Sequence, residues 1–320
     1  MSSGNETGAR EPVIDAAVAS TETAITAPPA DQQPEYHRMA SKPGSPWWLP
    51  IVATVALLAI GFACQFIVGL GVFAAAALTD VIDEAFLDVV VSFAAIGAFL
   101  PAFFLAARVW RRRGGELSSV AGRIRWKWLL LCAAIAVPAF PLHLVLVTML
   151  SAVAEPAMLE APPIDPAEPT GLAATTITTI VVLLLVVPCQ AAAEEYFMRG
   201  WLVQVFGAYL RTPWVGVGIG AVVFVLLHGE GTVAGYAALL TFGLVLGWLV
   251  VRTGGLEAGI AFHVVWNLTI AVLAVLAGDT DSESNLGDSP WPVLVGQLIV
   301  MPLYAFIIAK LATRKRLLAA

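Results

Sequence analysis

The chain has 320 residues, 59% hydrophobic and 12% charged, with a net charge of −6 and a mean hydropathy of +0.85. A soluble domain carries about twice that share of charge, and no basic patch with interleaved aromatic residues offers itself to nucleic acid. The composition therefore excludes a soluble nucleic-acid binder and predicts an all-α, polytopic membrane helix bundle of about eight transmembrane helices.

In chain order, residues 1–46 are rich in Ala, Thr, Glu, Pro and Ser and lack the apolar stretch of a cleavable signal peptide. They read as a disordered cytoplasmic tail. The membrane bundle then occupies 47–320. Its apolar runs fall at about 48–78, 87–109, 128–153, 174–210, 213–228, 234–251, 256–277 and 291–311. Most are long enough to cross ~30 Å of hydrocarbon at 1.5 Å per residue. Pro188 removes a backbone donor from the fourth run and marks a kink. Cys64, Cys132 and Cys189 lie inside apolar runs without metal-ligand spacing, which makes them buried thiols.

The connections alternate in charge. The 17 Lys and Arg fall in the tail, the 108–127 loop, the 199–211 region, at Arg252 and in 310–316. The loops 79–86, 154–173, 229–233 and 278–290 hold acids and no Lys or Arg. Under the positive-inside rule eight spans fit without a violation, and both termini are cytoplasmic.

Three polar clusters interrupt the apolar runs: Glu194-Glu195 with Arg199, Phe224 with His228, and His263 with Asn267. Carboxylates in hydrocarbon cost about 2.5–3.5 kcal/mol each at a helix centre, so function is their default reading. Glu195 and Arg199 are four apart and share a helical face, which assigns Glu195 to a supporting ion pair. Glu194 points about 100° away and is left for chemistry. His263 and Asn267, also four apart, face one point. Glu194 and His228 each lie 17 residues from Arg211, one before and one after it. In a helical hairpin both then sit ~25 Å from that turn. His263 and Asn267 fall in the same slab, counted from Arg252. A carboxylate and an imidazole around one point can activate water, and an imidazole with a carboxamide can stabilise an oxyanion. His143, with no partner motif, reads as a packing residue or one bonded to a backbone carbonyl.

At these residues the sequence resembles the CAAX protease and bacteriocin-processing (CPBP, or Abi) family of intramembrane peptidases, whose pattern is EExxxR, FxxxH and HxxxN on successive helices. The resemblance covers about 174–275, the peptidase-like core. It implies an intramembrane endopeptidase with a site open toward the cytoplasmic leaflet, acting on a membrane-associated protein or peptide. It also implies that Glu194 and His228 activate the water while His263 and Asn267 hold the oxyanion. A metal-free reaction is favoured, since Asn is a poor zinc ligand and thiolates are absent. The alternative is a Zn²⁺ ion held by Glu194, His228 and His263. The rival functions are a proton-coupled transporter, since buried carboxylates and histidines also build proton relays, and a non-catalytic immunity-type membrane protein.

Overall fold

The computed structural model describes residues 35–78, 84–154, 174–277 and 286–315. The tail before residue 35 and most of the acidic connections lie outside these residues. Eleven α-helices are present among them: α1 (Leu49–Leu78), α2 (Glu84–Gly97), α3 (Leu100–Val109), α4 (Trp126–Ala136), α5 (Ala139–Ala154), α6 (Ala174–Glu195), α7 (Val203–Tyr209), α8 (Trp214–Leu226), α9 (Val233–Thr253), α10 (Glu257–Ala277) and α11 (Trp291–Arg314). A π-helical segment, Tyr196–Leu202, joins α6 to α7.

These form the eight predicted runs. Seven are long and apolar enough to cross a membrane, among them Val90–Val109, Trp126–Val153 and Thr176–Tyr209, each continuing through a break between helices. The chain is thus a multi-pass integral membrane protein. The breaks have local causes. Pro101 opens α3 at its first turn, and Pro138 sits between α4 and α5. The eighth run, α8, has only 13 residues, about 20 Å of helix, which is less than the hydrocarbon thickness. Gly229 ends it with φ +73°, a conformation glycine adopts without steric penalty. His228 is therefore held at a depth where a full-length helix would have carried it to the surface.

Small residues let α8 sit deep. A Cβ on Gly220 would lie 2.6 Å from the Met198 carbonyl oxygen, and one on Gly216 2.8 Å from the Val203 Cα. A Cβ on Gly243 of α9 would lie 2.8 Å from the Ala221 Cα. Such close backbone approach is how membrane helices associate where no hydrophobic force separates protein from lipid. On the far side of α9, the backbone N–H of Thr232 donates to the Gly287 carbonyl (2.9 Å), and the Thr232 hydroxyl donates to the Ser289 carbonyl (2.9 Å). The segment before α11 is thereby fastened to the start of α9.

The end of the bundle carrying the basic residues is closed by a buried polar network. Arg125 donates from Nε and Nη2 to the two carboxylate oxygens of Glu257 (2.8 and 2.7 Å), and its backbone N–H adds a third bond at 3.0 Å. Glu257 opens α10, where its charge also suits the helix dipole. Part of the segment read as tail belongs to this end. Tyr36 and His37 are 3% and 4% exposed. The Tyr36 hydroxyl donates to the Leu117 carbonyl, and Arg38 donates to the Leu210 carbonyl at 3.1 Å. Burial pushes the Tyr36 phenol well above its ordinary range, so it stays a donor. Tyr36, His37 and Arg38 therefore belong to the packed bundle, because they find partners that composition alone does not reveal.

Removing one member of a buried ion pair strands the other, at about 3–5 kcal/mol. Glu257→Ala is expected to lower stability by that amount, read as a fall in the unfolding temperature in detergent. A variant as stable as wild type would show that the Arg125–Glu257 contact carries no weight.

Candidate active site

Glu195 is fully buried at the end of α6. Its Oε1 accepts from Arg199 Nη1 and from His263 Nδ1, both at 2.9 Å. The ion pair read from the i,i+4 spacing is present, with the π turn between its members. The imidazole as a third partner was not legible in that spacing. Gly259, one turn before His263 on α10, makes room for the carboxylate: a Cβ there would lie 2.6 Å from Glu195 Oε2.

Glu194 does not diverge as far as its helical angle predicts. Its Oε2 lies 3.4 Å from His263 Nε2, an ion-pair distance. A glutamate side chain has enough reach to offset part of a helical rotation, and the two ring nitrogens of one histidine point in different directions. His263 thus stands between two adjacent carboxylates. Glu194 keeps 16% of its side chain exposed while Glu195 keeps none.

Among the described residues Arg199 has only this one charged partner. Its Nε and Nη2 make no hydrogen bond among the described residues. The guanidinium instead lies 4.7 Å from the centroid of the Phe224 ring and 6.0 Å from that of Phe242. Aromatic faces attract a desolvated cation, which gives the phenylalanine of the FxxxH motif a physical task. Phe224 and Phe242 stack on each other (5.5 Å, 9°), and Phe242 meets the edge of His263 at 4.9 Å.

His228 follows the last turn of α8, half-buried. Its Nδ1 lies 2.7 Å from the Phe224 carbonyl. A carbonyl only accepts, so Nδ1 is the donor, and in that tautomer Nε2 is left as an acceptor. Asn267 donates from Nδ2 to Gln190 Oε1 at 3.1 Å. Gln190 is 3% exposed and lies one turn before Glu194. One N–H of Asn267 is therefore committed to α6, and the other remains.

A cavity of about 240 Å³ joins these groups. His228, His263 and Asn267 line it, together with Phe224, Phe242, Trp266, His143 and Gln297. Glu194 is not part of that wall and reaches the cavity's edge through His263. No hydrogen bond or ion pair joins Glu194 to His228. The cavity lies in the half of the bundle away from the basic loops. Ala238 and Leu239 are near the start of α9, Ser289 and Val293 are at the start of α11, and His228 is at the acidic end of α8.

The donor set does not fit a zinc ion. Among the described residues no group of three His, Cys, Asp or Glu could hold a metal. Both nitrogens of His263 already face carboxylates, and His228 stands apart. Sequence reasoning missed Gln190, Phe242, His143 and Gln297 as parts of the site. Only His143 left a signal, as a histidine inside an apolar run.

Residues 176–269 match the family model described as type II CAAX prenyl endopeptidase Rce1-like. The match covers all three motifs and agrees with the resemblance to the CPBP membrane peptidases. The chain is also similar to the uncharacterized protein YyaK of Bacillus subtilis (strain 168), 31% identical over 110 residues, which cover 32% of this chain and 35% of that one. The chain thus spans about a third of the length of the curated relative it matches. No solved structure gives a significant match.

The Gly259 contact makes a sharp contrast with Gly218 of α8, where nothing lies within 4 Å of an added Cβ. Gly259→Ala is expected to lower stability by about 1–3 kcal/mol through overpacking against Glu195. Gly218→Ala should stay within about 0.5 kcal/mol of wild type or gain slightly. Equal unfolding temperatures for the two variants would contradict the close seat of Glu195 on α10.

Proposed function

We propose that the protein is an intramembrane endopeptidase that hydrolyses a peptide bond of a membrane-associated protein or peptide with water activated by its own side chains. One observation carries the reading: His263, at the wall of a membrane-embedded cavity, is held with one nitrogen toward Glu195 and the other toward Glu194. Glu195 Oε1 accepts from both Arg199 Nη1 and His263 Nδ1, which holds the Nδ1 proton in place. His263 Nε2 and the Glu194 carboxylate then face each other at 3.4 Å as two acceptors for one proton. A dyad of that kind can take a proton from water and return it.

The steps follow from those protonation states. A water oxygen attacks the carbonyl carbon of the scissile amide, steadied by an accepted hydrogen bond at His228 Nε2. The Glu194–His263 dyad takes the water's proton. The second N–H of Asn267 donates to the oxygen that becomes negative. The dyad then returns the proton to the leaving nitrogen as the carbon–nitrogen bond breaks. No metal takes part. The Rce1-like match supports the reaction class, and the one-sided cavity supports a substrate entering from one membrane face.

Glu194→Gln, His228→Ala and His263→Ala are each expected to lower cleavage of a peptide library by about 10²–10⁴-fold, with the fold retained in detergent. A chelator should leave the wild-type rate unchanged. Wild-type protein that cleaves nothing but drives proton-coupled uptake in liposomes would replace the peptidase reading with a carrier.

Under the positive-inside rule the basic ends and both termini face the cytoplasm, and the cavity, on this reading, faces the opposite side. With Cys64, Cys132 and Cys189 replaced, Ser289→Cys should react with a membrane-impermeant maleimide in right-side-out vesicles. Lys315→Cys should react only in inverted ones. The reverse pattern would place the cavity on the cytoplasmic side.

A further inference from the structure

The cavity has a second polar end that the hydrolytic groups do not use. His143 of α5 and Gln297 of α11 are 6% and 5% exposed, and both line it. The surrounding wall is apolar: Leu144, Val147, Ile270 and Val293. Polar side chains at such depth are costly unless they are paired or functional. An interhelical contact occupies only one side of the His143 ring: Nδ1 is sealed against the Gly296 backbone of α11, where an added Cβ would come within 2.9 Å. Packing also holds the ring, 4.6 Å from Trp266 and 6.4 Å from Phe140 between centroids. Gly296 allows α5 and α11 to approach closely enough for His143 and Gln297 to border the same space.

The dimensions restrict what enters. An α-helix with its side chains is 10–12 Å across, too wide for a cavity of about 240 Å³. A peptide reaches the site only as extended chain. Inside a bilayer an extended chain has no water to satisfy its N–H and C=O groups, and each unsatisfied group costs several kcal/mol. Nε2 of His143, the ring nitrogen not sealed against Gly296, offers one donor or one acceptor, and the Gln297 carboxamide offers two donors and an acceptor. That set matches the N–H and C=O of one backbone amide.

We infer that His143 and Gln297 form a substrate subsite that binds the backbone amide next to the scissile one, while Leu144, Val147, Ile270 and Val293 receive an apolar side chain. The substrate class is then an uncharged apolar segment unwound at the cleavage point. Phrased in terms of a scissile bond, the inference rests on the peptidase reading, but its binding component does not.

The test is equilibrium binding of a fluorescent, end-capped leucine–valine tripeptide to the full-length protein in detergent, alongside an analogue with an ester in place of its central amide. His143→Leu and Gln297→Leu should each weaken the all-amide peptide by about five- to tenfold. The ester analogue, already weaker, should change by less than about twofold in either variant, by the same hydrogen-bond argument. His143→Gln, which keeps a donor and an acceptor, should restore most of the affinity. Equal losses for amide and ester would reduce His143 and Gln297 to packing residues and overturn the subsite, as would unchanged binding in both Leu variants or no binding to wild type. Discrimination between the probes in a protein that cleaves nothing would leave the subsite standing and sink the peptidase reading alone.

Discussion

The line of charge from Arg199 through Glu195 to His263 fixes the rest of the site. Three ionisable groups that hydrocarbon penalises are placed in contact at 2.9 Å. In low dielectric their attraction offsets desolvation only if the geometry is close and the remaining polar atoms are answered. The geometry is close, but Glu195 Oε2 and Arg199 Nε and Nη2 have no hydrogen-bond partner among the described residues, so the neighbouring features support the cluster by shape and aromatic contact. Gly259 admits the carboxylate, Phe224 and Phe242 flank the guanidinium, and the π segment carries Arg199 beside Glu195. A single π turn inside an α-helical span is uncommon and recurs at functional positions. Glu195 is therefore the carboxylate locked in place, while its neighbour Glu194 keeps 16% of its side chain exposed.

A second constraint acts on depth. Helix α8 stops after 13 residues, and Gly229 turns the chain directly after His228. The glycines at 216, 220 and 243 draw α8 toward α7, the π segment and α9. Shortness and close packing together put an imidazole at the level of His263 without burying it in a continuous span. The Phe224 ring meets His228 at 4.6 Å and His263 at 6.0 Å. The two histidines are thus spaced by one aromatic side chain rather than drawn onto a common ligand point, which is why a metal finds no triad there.

Much of this was legible in the sequence. Run length gave the spans, because crossing hydrocarbon demands continuous apolar helix. The i,i+4 spacing gave Glu195 with Arg199, because the main-chain geometry dictates that contact even through a π turn. Counting from Arg211 and Arg252 brought Glu194, His228, His263 and Asn267 to one level, and three helices do meet there. Side-chain reach was not legible: Glu194 approaches His263 despite its different helical angle. Contacts between distant segments were also hidden. Nothing local ties Gln190 to Asn267, Arg125 to Glu257, or Tyr36 to Leu117. His143 was visible but had no partner motif, and only the shared cavity wall gives it one.

The closed basic end weighs against a proton carrier. A carrier that alternates its access needs a route from the buried groups to each face of the membrane. Toward the acidic loops such a route exists, through the cavity that reaches Ser289. Toward the basic loops stand Tyr196, Thr253, Leu256, Glu257 and Arg125, none more than 9% exposed. They are tied by the Arg125–Glu257 pair, by the Ser118–Tyr196 hydroxyl bond at 2.5 Å and by the Leu256 N–H to Ser118 carbonyl bond at 2.9 Å. Opening that end would break several buried polar contacts at once, each worth more in low dielectric than at a surface. A hydrolase needs no second opening. Its substrate and both products can use one mouth, and its proton returns to the leaving group instead of crossing the membrane. On the proposed reading, a carboxylate and an imidazole beside a cavity whose basic side is packed shut among the described residues suit cutting a bond better than passing a charge across.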